Sequence, residues 1–269
     1  MSLRIGCSGW SYADWLGPFY PKDTEPKEYL TLYSKVFDCV EIDSTFYRAP
    51  SPTMVQQWYS NTPNGFLFAP KIPKRITHDQ HLEDVSSYLA HFTATLEQLN
   101  EKLGPLLLQL PPSFKLSKHE KALSNFISEL NPKLRYAIEF RHKSWFNPAT
   151  EQLLQSHNIC QAWSVNQYLS TPASVTSDII YLRLVGDRKI TAFKETQRDQ
   201  TEVMGAWKKA LENVEGSVKE RFVFFNNHFA GFGPASVNEF RRLMGLAELD
   251  WKGLKAGPAS QRSLLDFSN

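Results

Sequence analysis

The sequence predicts an α/β fold, a single TIM-type (β/α)8 barrel, from three observations. Eight short apolar runs recur along the 269 residues, each is followed by a segment with helical spacing, and the runs are near-continuously apolar instead of alternating. Unbroken apolarity is what a strand requires when helices cover both faces of its sheet. Strict strand–helix alternation demands parallel strands, and right-handed crossovers close eight such units into a barrel of about 250 residues. One domain over residues 1–269 is expected, with the Gly-, Lys- and Ser-containing stretch after about residue 246 as a tail or cap.

Strands are expected at Arg4–Ser8, Cys39–Ile42, Phe66–Lys71, Leu106–Leu110, Arg135–Arg141, Ile159–Val165, Ile179–Leu184 and Phe222–Asn226. Between them, Glu28–Phe37 places Tyr29, Leu32, Tyr33 and Val36 on one helical stripe. Ser51-Pro52 and Asn147-Pro148 each put an N-cap residue before a proline, the expected start of a helix. Leu82–Leu103 reads as the longest helix, closed by Gly104-Pro105, and Ser117 with Glu120 reads as a capping box. Further helices are expected near Glu202–Val214 and Ala235–Met244, and a short or irregular one after the sixth strand. A doubly wound open sheet competes, but Gly6-Cys7-Ser8-Gly9-Trp10 is a poor dinucleotide loop.

Composition excludes several classes of function. With 30 basic and 28 acidic residues and a net charge of +2, the chain lacks the electrostatic footprint of a duplex-DNA binder. The three cysteines, Cys7, Cys39 and Cys160, are widely spaced within apolar runs and read as buried free thiols of a reducing compartment. No apolar run approaches the length of a membrane span and no signal-peptide pattern opens the chain, so a cytoplasmic protein without a membrane partner is expected.

In such a barrel, polar residues at the carboxyl ends of the strands line the active site. Here the second strand ends at Glu41 and leads through Asp43 to Tyr47, the third at Lys71 and the fourth at Gln109. The fifth runs through Glu139 and Arg141 to His142 and Trp145; the sixth reaches Asn166, the seventh carries Arg183, and the eighth ends in Asn226-Asn227-His228. Ionised groups inside apolar strands are costly unless they meet partners or a ligand, so this convergent set marks the candidate site.

Cys-Ser-Gly-Trp at 7–10, EIDSTFYR at 41–48, LLLQLPPSF at 106–114, EFRHKSW at 139–145 and FFNNH at 224–228 resemble the YecE-like family, domain-of-unknown-function family 72. The resemblance runs from residue 5 to about 245 and rests on five motifs in order. It implies a TIM-type barrel with a strand-end pocket and supplies no reaction. Ala69-Pro70-Lys71-Ile72-Pro73 keeps the lysine and final proline of the Phe-Lys-x-Pro of many relatives, and Asn166 stands where the resemblance implies an aspartate in many relatives.

Three readings of the site follow. The first is a metal-independent enzyme acting on a small anionic or polyhydroxylated molecule. Lys71, Arg141 and Arg183 would hold the anion, with Glu41, Glu139, His142 or His228 transferring protons. Gln109, Asn226 and Asn227 would hydrogen-bond the substrate between aromatic walls of Tyr47 and Trp145. The second is a divalent-metal hydrolase or isomerase ligated from Glu41, Asp43, Glu139, His142 or His228, which the neighbouring cations disfavour. The third is a non-catalytic module binding nucleic acid or protein, with Lys71-Ile72-Pro73-Lys74-Arg75 as its basic segment. No cofactor is called for, and His78, His81, His91, His119 and His157 are read as surface residues.

Overall fold

A computed structural model describes residues 2–166 and 169–255. Its strands are β1 (Ser2–Ser8), β2 (Cys39–Ile42), β3 (Leu67–Pro70), β4 (Leu106–Gln109), β5 (Tyr136–Glu139), β6 (Cys160–Gln161), β7 (Trp163–Asn166), β8 (Ile179–Gly186) and β9 (Glu220–Phe225). Every pairing among them is parallel, which bears out the α/β reading. The strands form a six-stranded sheet, ordered β3-β2-β1-β9-β8-β7, and a three-stranded sheet, β4-β5-β6, instead of one continuous ladder.

The two breaks in the ladder have local causes. Between β3 and β4 only isolated bridges form, at Lys71–Leu107 and Phe68–Leu103. Pro105 has no N–H to extend that ladder, so the Gly104 N–H takes the Phe68 carbonyl instead, at 2.7 Å. Only glycine allows this approach, because a Cβ at 104 would lie 2.6 Å from that carbonyl oxygen. The second break divides the expected sixth strand at Ala162: β6 pairs with β5, and β7 pairs with β8.

The helices are α1 (Tyr29–Tyr33), α2 (Ser44–Tyr47), α3 (Pro52–Ser60), α4 (Ser86–Leu96), α5 (Leu116–Ser128), α6 (Pro148–Ser156), α7 (Thr201–Asn213), α8 (Asn227–Ala230) and α9 (Gly233–Leu243). Ser51 accepts from the Met54 N–H and Asn147 from the Thr150 N–H, the two caps legible in the sequence. The single helix expected over Leu82–Leu103 is instead α4 followed by a 3-10 turn, with positive φ at Leu82, Asp84 and Asn100. Ser117 lies inside α5 and caps nothing; the Leu116 N–H is satisfied by the Ser144 hydroxyl at 3.0 Å.

Two apolar clusters hold the molecule together. A large one packs the helices on the strands, and a smaller one includes Cys39, Ala69, Leu107, Ala137, Ala162, Tyr181 and Phe224 on the opposite strand faces. The three cysteines are free and buried. Beyond α9 the chain returns across the fold, where Asn238 exchanges two hydrogen bonds with Leu249 and the Trp251 indole donates to the Pro18 carbonyl at 2.9 Å. Part of the expected tail, residues 256–269, lies outside the described residues. Among the described residues no helix is long and apolar enough to cross a membrane.

Lys102 is a load on this framework with a clear function in it. Only 2% exposed, its ammonium donates to the carbonyls of Tyr59 and Thr62 at 2.7 Å each and lies 4.3 Å from the centre of the Tyr59 ring. It thereby closes the carboxyl end of α3, where a cation also meets the negative pole of the helix. Lys102→Met leaves those buried acceptors without a donor and is expected to lower stability by about 1–3 kcal/mol in urea unfolding. An unchanged midpoint would show that water replaces the ammonium there.

Candidate active site

Side chains alternate across a strand, so a residue two places beyond an interior position points to the same side. The interior positions Cys39, Ala69, Leu107, Ala137, Ala162, Tyr181 and Phe224 are followed, two residues on, by Glu41, Lys71, Gln109, Glu139, Ser164, Arg183 and Asn226. The pleat alone therefore carries polar groups from seven chain segments to one end of the interior. All but Asn226 are buried.

Arg183 is the centre of this layer. Its Nε and Nη2 donate to the two oxygens of Glu41, each at 2.7 Å, and its Nη1 donates to Glu139. The Tyr181 hydroxyl adds a third bond to Glu41 at 2.8 Å. Arg141 donates from Nε to the other Glu139 oxygen at 2.7 Å and from Nη2 to the Gln109 carbonyl at 2.9 Å. Lys71 donates to that same Gln109 oxygen at 3.0 Å and pairs with Asp43 at 3.1 Å. Its ammonium also stands 4.7 Å from the centre of the Phe46 ring.

The charges follow from this geometry. Burial by itself would raise the Glu139 carboxyl, yet Arg141 and Arg183 together outweigh it and bring the pKa down to about 2. Asp43 is likewise raised by burial and lowered more by Lys71 and Arg183. Burial pushes Lys71 below the usual lysine range, with Asp43 opposing and Arg183 assisting. Burial disfavours the charge on Arg183 too, and Glu41 and Glu139 more than restore it.

In front of this layer opens a cavity of about 290 Å³ lined by Tyr12, Asp43, Phe46, Tyr47, Lys71, Gln109, Arg141, Arg183, Val185, Arg188, Phe193, Asn226, Asn227 and His228. Glu41 and Glu139 stand outside that lining, behind the arginines they neutralise. What faces the cavity is thus Lys71, Arg141, Arg183 and Arg188 against the one carboxylate of Asp43. The His228 Nδ1 lies 2.9 Å from the Ile190 carbonyl oxygen, which can only accept, so this nitrogen carries a proton. Burial holds the imidazole below its ordinary range and Arg188 adds to the effect; in the neutral ring Nε2 is therefore the acceptor.

The backbone of this corner is built to bring His228 close. Gly186 has φ +80°, and a Cβ there would collide with the His228 carbonyl. Asn226 accepts from the His228 N–H at 3.1 Å. Asn227 uses its carbonyl to accept from the Trp15 indole at 3.3 Å and the Gly233 N–H at 2.9 Å, while its amide nitrogen is buried without a partner among the described residues.

Of the residues expected in the site, Tyr47, Lys71, Gln109, Arg141, Arg183, Asn226, Asn227 and His228 line the cavity together. Glu41 and Glu139, expected to transfer protons, have both oxygens engaged and act as counter-ions. His142 is turned to its own loop, with Nδ1 2.8 Å from the Ser144 hydroxyl, and does not line the cavity. Trp145, expected as an aromatic wall, is buried between Phe114 and Phe140 and donates to the Phe114 carbonyl. Glu41, Asp43, Glu139, His142 and His228 do not gather as a ligand set: among the described residues no three His, Cys, Asp or Glu side chains are placed to hold a metal ion.

Several residues enter that were not expected to bind substrate. Asp43 was read only as a metal ligand, although it continues the inward alternation of Glu41. Phe46 precedes Tyr47 in the same motif, and Arg188 and Phe193 lie on the loop after β8, which no pattern marks. His78, read as a surface residue, is half-buried against Phe46, and burial first, then Arg141 and Lys71, bring it to about 4.

The Glu139 shift predicts a pH dependence. Because the folded carboxyl titrates below its ordinary value of 4.5, its contribution is complete above that value and is lost as pH falls toward about 2. Glu139→Gln is expected to flatten the fall in unfolding free energy across this window. At neutral pH it should cost about 3–5 kcal/mol, since Arg141 and Arg183 keep their charges and lose the carboxylate they share. Denaturant titrations across that pH range check both effects; an equally steep fall in the variant would assign the acid sensitivity to another group.

Comparison with known proteins agrees with the fold and the motifs. The profile described as "Protein of unknown function DUF72" matches residues 4–262. The UPF0759 protein YunF of Bacillus subtilis is 25% identical over 94% of this chain and 97% of its own length. The UPF0759 protein YecE of Escherichia coli K12 is 29% identical over 56% of this chain and 52% of its own. A crystal structure of a DUF72 family protein from Thermotoga maritima superposes with a TM-score of 0.77 at 27% identity, covering 91% of this chain and 100% of that one. A second, from Enterococcus faecalis, gives 0.72 at 20% identity over 91% and 98%. With the profile spanning nearly its whole length, this chain belongs to the DUF72 family.

Proposed function

We propose that this protein is a metal-independent enzyme that binds a small anionic molecule at the mouth of a (β/α)8 barrel and moves a proton on it through His228. The observation that carries the reading is the charge facing the cavity: Lys71, Arg141, Arg183 and Arg188 against Asp43 alone, with the neutralising glutamates behind. Such a surface attracts carboxylate or phosphate and repels a divalent cation. The barrel reading is supported by the Lys71–Leu107 bridge, which links the two sheets on one side, and by Ala162, the single residue that joins β6 of one sheet to β7 of the other.

Roles follow from position. Arg141 and Arg183 present guanidinium groups already oriented by Glu139 and Glu41, so little rotamer freedom is left to lose when an anion arrives. The buried Asn227 amide, with no partner among the described residues, is a donor for a substrate oxygen. His228, neutral and anchored through Nδ1, offers Nε2 as the base.

Arg188 gives the cleanest test, because it is exposed and makes no hydrogen bond or ion pair with the described residues. Arg188→Ala is expected to weaken inorganic phosphate binding about tenfold, the equivalent of one charge-assisted hydrogen bond, with no loss of stability. Calorimetric titration reads this directly, and unaltered affinity would remove Arg188 from the anion site. For the reaction itself, the acidic limb of the rate should lie below pH 6.5, the ordinary histidine value, and vanish in His228→Asn. A limb that persists in the variant would transfer the role to another group.

A further inference from the structure

The anion site does not end at its own cavity. A second cavity of about 420 Å³ adjoins it, and the two share Phe46, Tyr47, Gln109, Arg141, Val185 and Arg188 as a common wall. Lys74, His78 and Pro112 are among the residues that line only the outer one. Small-molecule sites run from roughly 300 to 1,000 Å³, so the inner cavity alone is at the small end and the two together suit a larger ligand.

Tyr47 stands at their junction and is 68% exposed, against 45% for Met54 and 38% for Leu246, the other exposed large apolar side chains among the described residues. It meets Phe46 edge to face at 5.2 Å, a contact that leaves the faces of its ring uncovered by Phe46. Phe46 is in turn fixed by Lys71 and His78. Around this ring the outer cavity carries Lys74, Arg141 and Arg188 against Asp79. The Asn166 side chain in its wall is engaged with Ser164 and Leu169, and offers little to a sugar hydroxyl. An uncovered aromatic ring among cations is what stacks a flat heteroaromatic group joined to an anion.

We infer that the joined cavities take a mononucleotide-class ligand, a phosphate ester with a flat heteroaromatic ring, whose phosphate enters beside Lys71, Arg141 and Arg183 while its ring lies on Tyr47. This rests on the anion-site reading above and adds to it the class of molecule. The ring requirement belongs to Tyr47 alone, and the phosphate requirement belongs to the inner cations.

The experiment is calorimetric titration of the full chain with adenosine 5′-monophosphate, ribose 5-phosphate and inorganic phosphate, using wild type, Tyr47→Ala and Tyr47→Phe. The nucleotide should bind roughly 5- to 140-fold more tightly than ribose 5-phosphate, the range set by one base–aromatic stack. Tyr47→Ala should bring the nucleotide down to the affinity of ribose 5-phosphate in the same variant, and Tyr47→Phe should keep the margin. If inorganic phosphate binds but the nucleotide has no advantage, or the margin survives in Tyr47→Ala, the ring site is overturned and the anion site stands. Binding of none of the three overturns both. A 5′-phosphorylated oligonucleotide that binds more than tenfold tighter than the mononucleotide overturns the small-molecule assignment in favour of a strand end.

Discussion

The candidate site is organised around one buried guanidinium. Arg183 reaches from β8 to Glu41 on β2 and Glu139 on β5, so a single side chain ties together strands that belong to two sheets. A buried charge of this kind persists only where its partners are in place, because the cost of desolvation is recovered through them. The requirement acts in both directions: the glutamates need the cation as much as it needs them. The carboxyl ends of these strands are therefore held in one arrangement, and the groups that line the cavity inherit that rigidity.

The same network explains why a layer rich in carboxylates presents a basic face. Glu41 and Glu139 spend their oxygens on Arg183, Arg141 and Tyr181, and stay behind them. Gln109 is a neutral hub whose carbonyl accepts from both Lys71 and Arg141 and so holds two cations near each other without cancelling either charge. Asp43 alone stands in front, paired with Lys71. The arrangement satisfies the buried layer internally and leaves positive potential where a ligand would arrive.

His228 is placed by a different device, the backbone. The turn after β9 puts it at the cavity, Gly186 makes room for its carbonyl, and the Ile190 carbonyl fixes its tautomer. Asn227, in the same turn, is oriented by Trp15 from the far end of the chain. Aromatic residues thus serve in two ways here: Trp15 and Trp145 are buried supports, whereas Tyr47 is held at the surface.

Much of this was legible in the residues. Unbroken apolar runs marked the strands, because burial on both faces demands them. The step of two along each strand then brought Glu41, Lys71, Gln109, Glu139 and Arg183 to one end, because the pleat fixes side-chain direction. Ser51 and Asn147 announced their helices because capping is a contact between near neighbours. Local rules could not say which partner each charge would choose. That Glu41 and Glu139 face Arg183 instead of a substrate, that Trp145 turns to Phe114 while Tyr47 stays open, and that Arg188 and Phe193 return to the cavity depend on contacts between residues far apart in sequence. Residue pattern and pleat were enough for the parallel α/β framework and the convergence of polar strand ends; which of those groups are counter-ions and which face the cavity emerged in the folded chain, because ion pairing and burial are settled by distance in space.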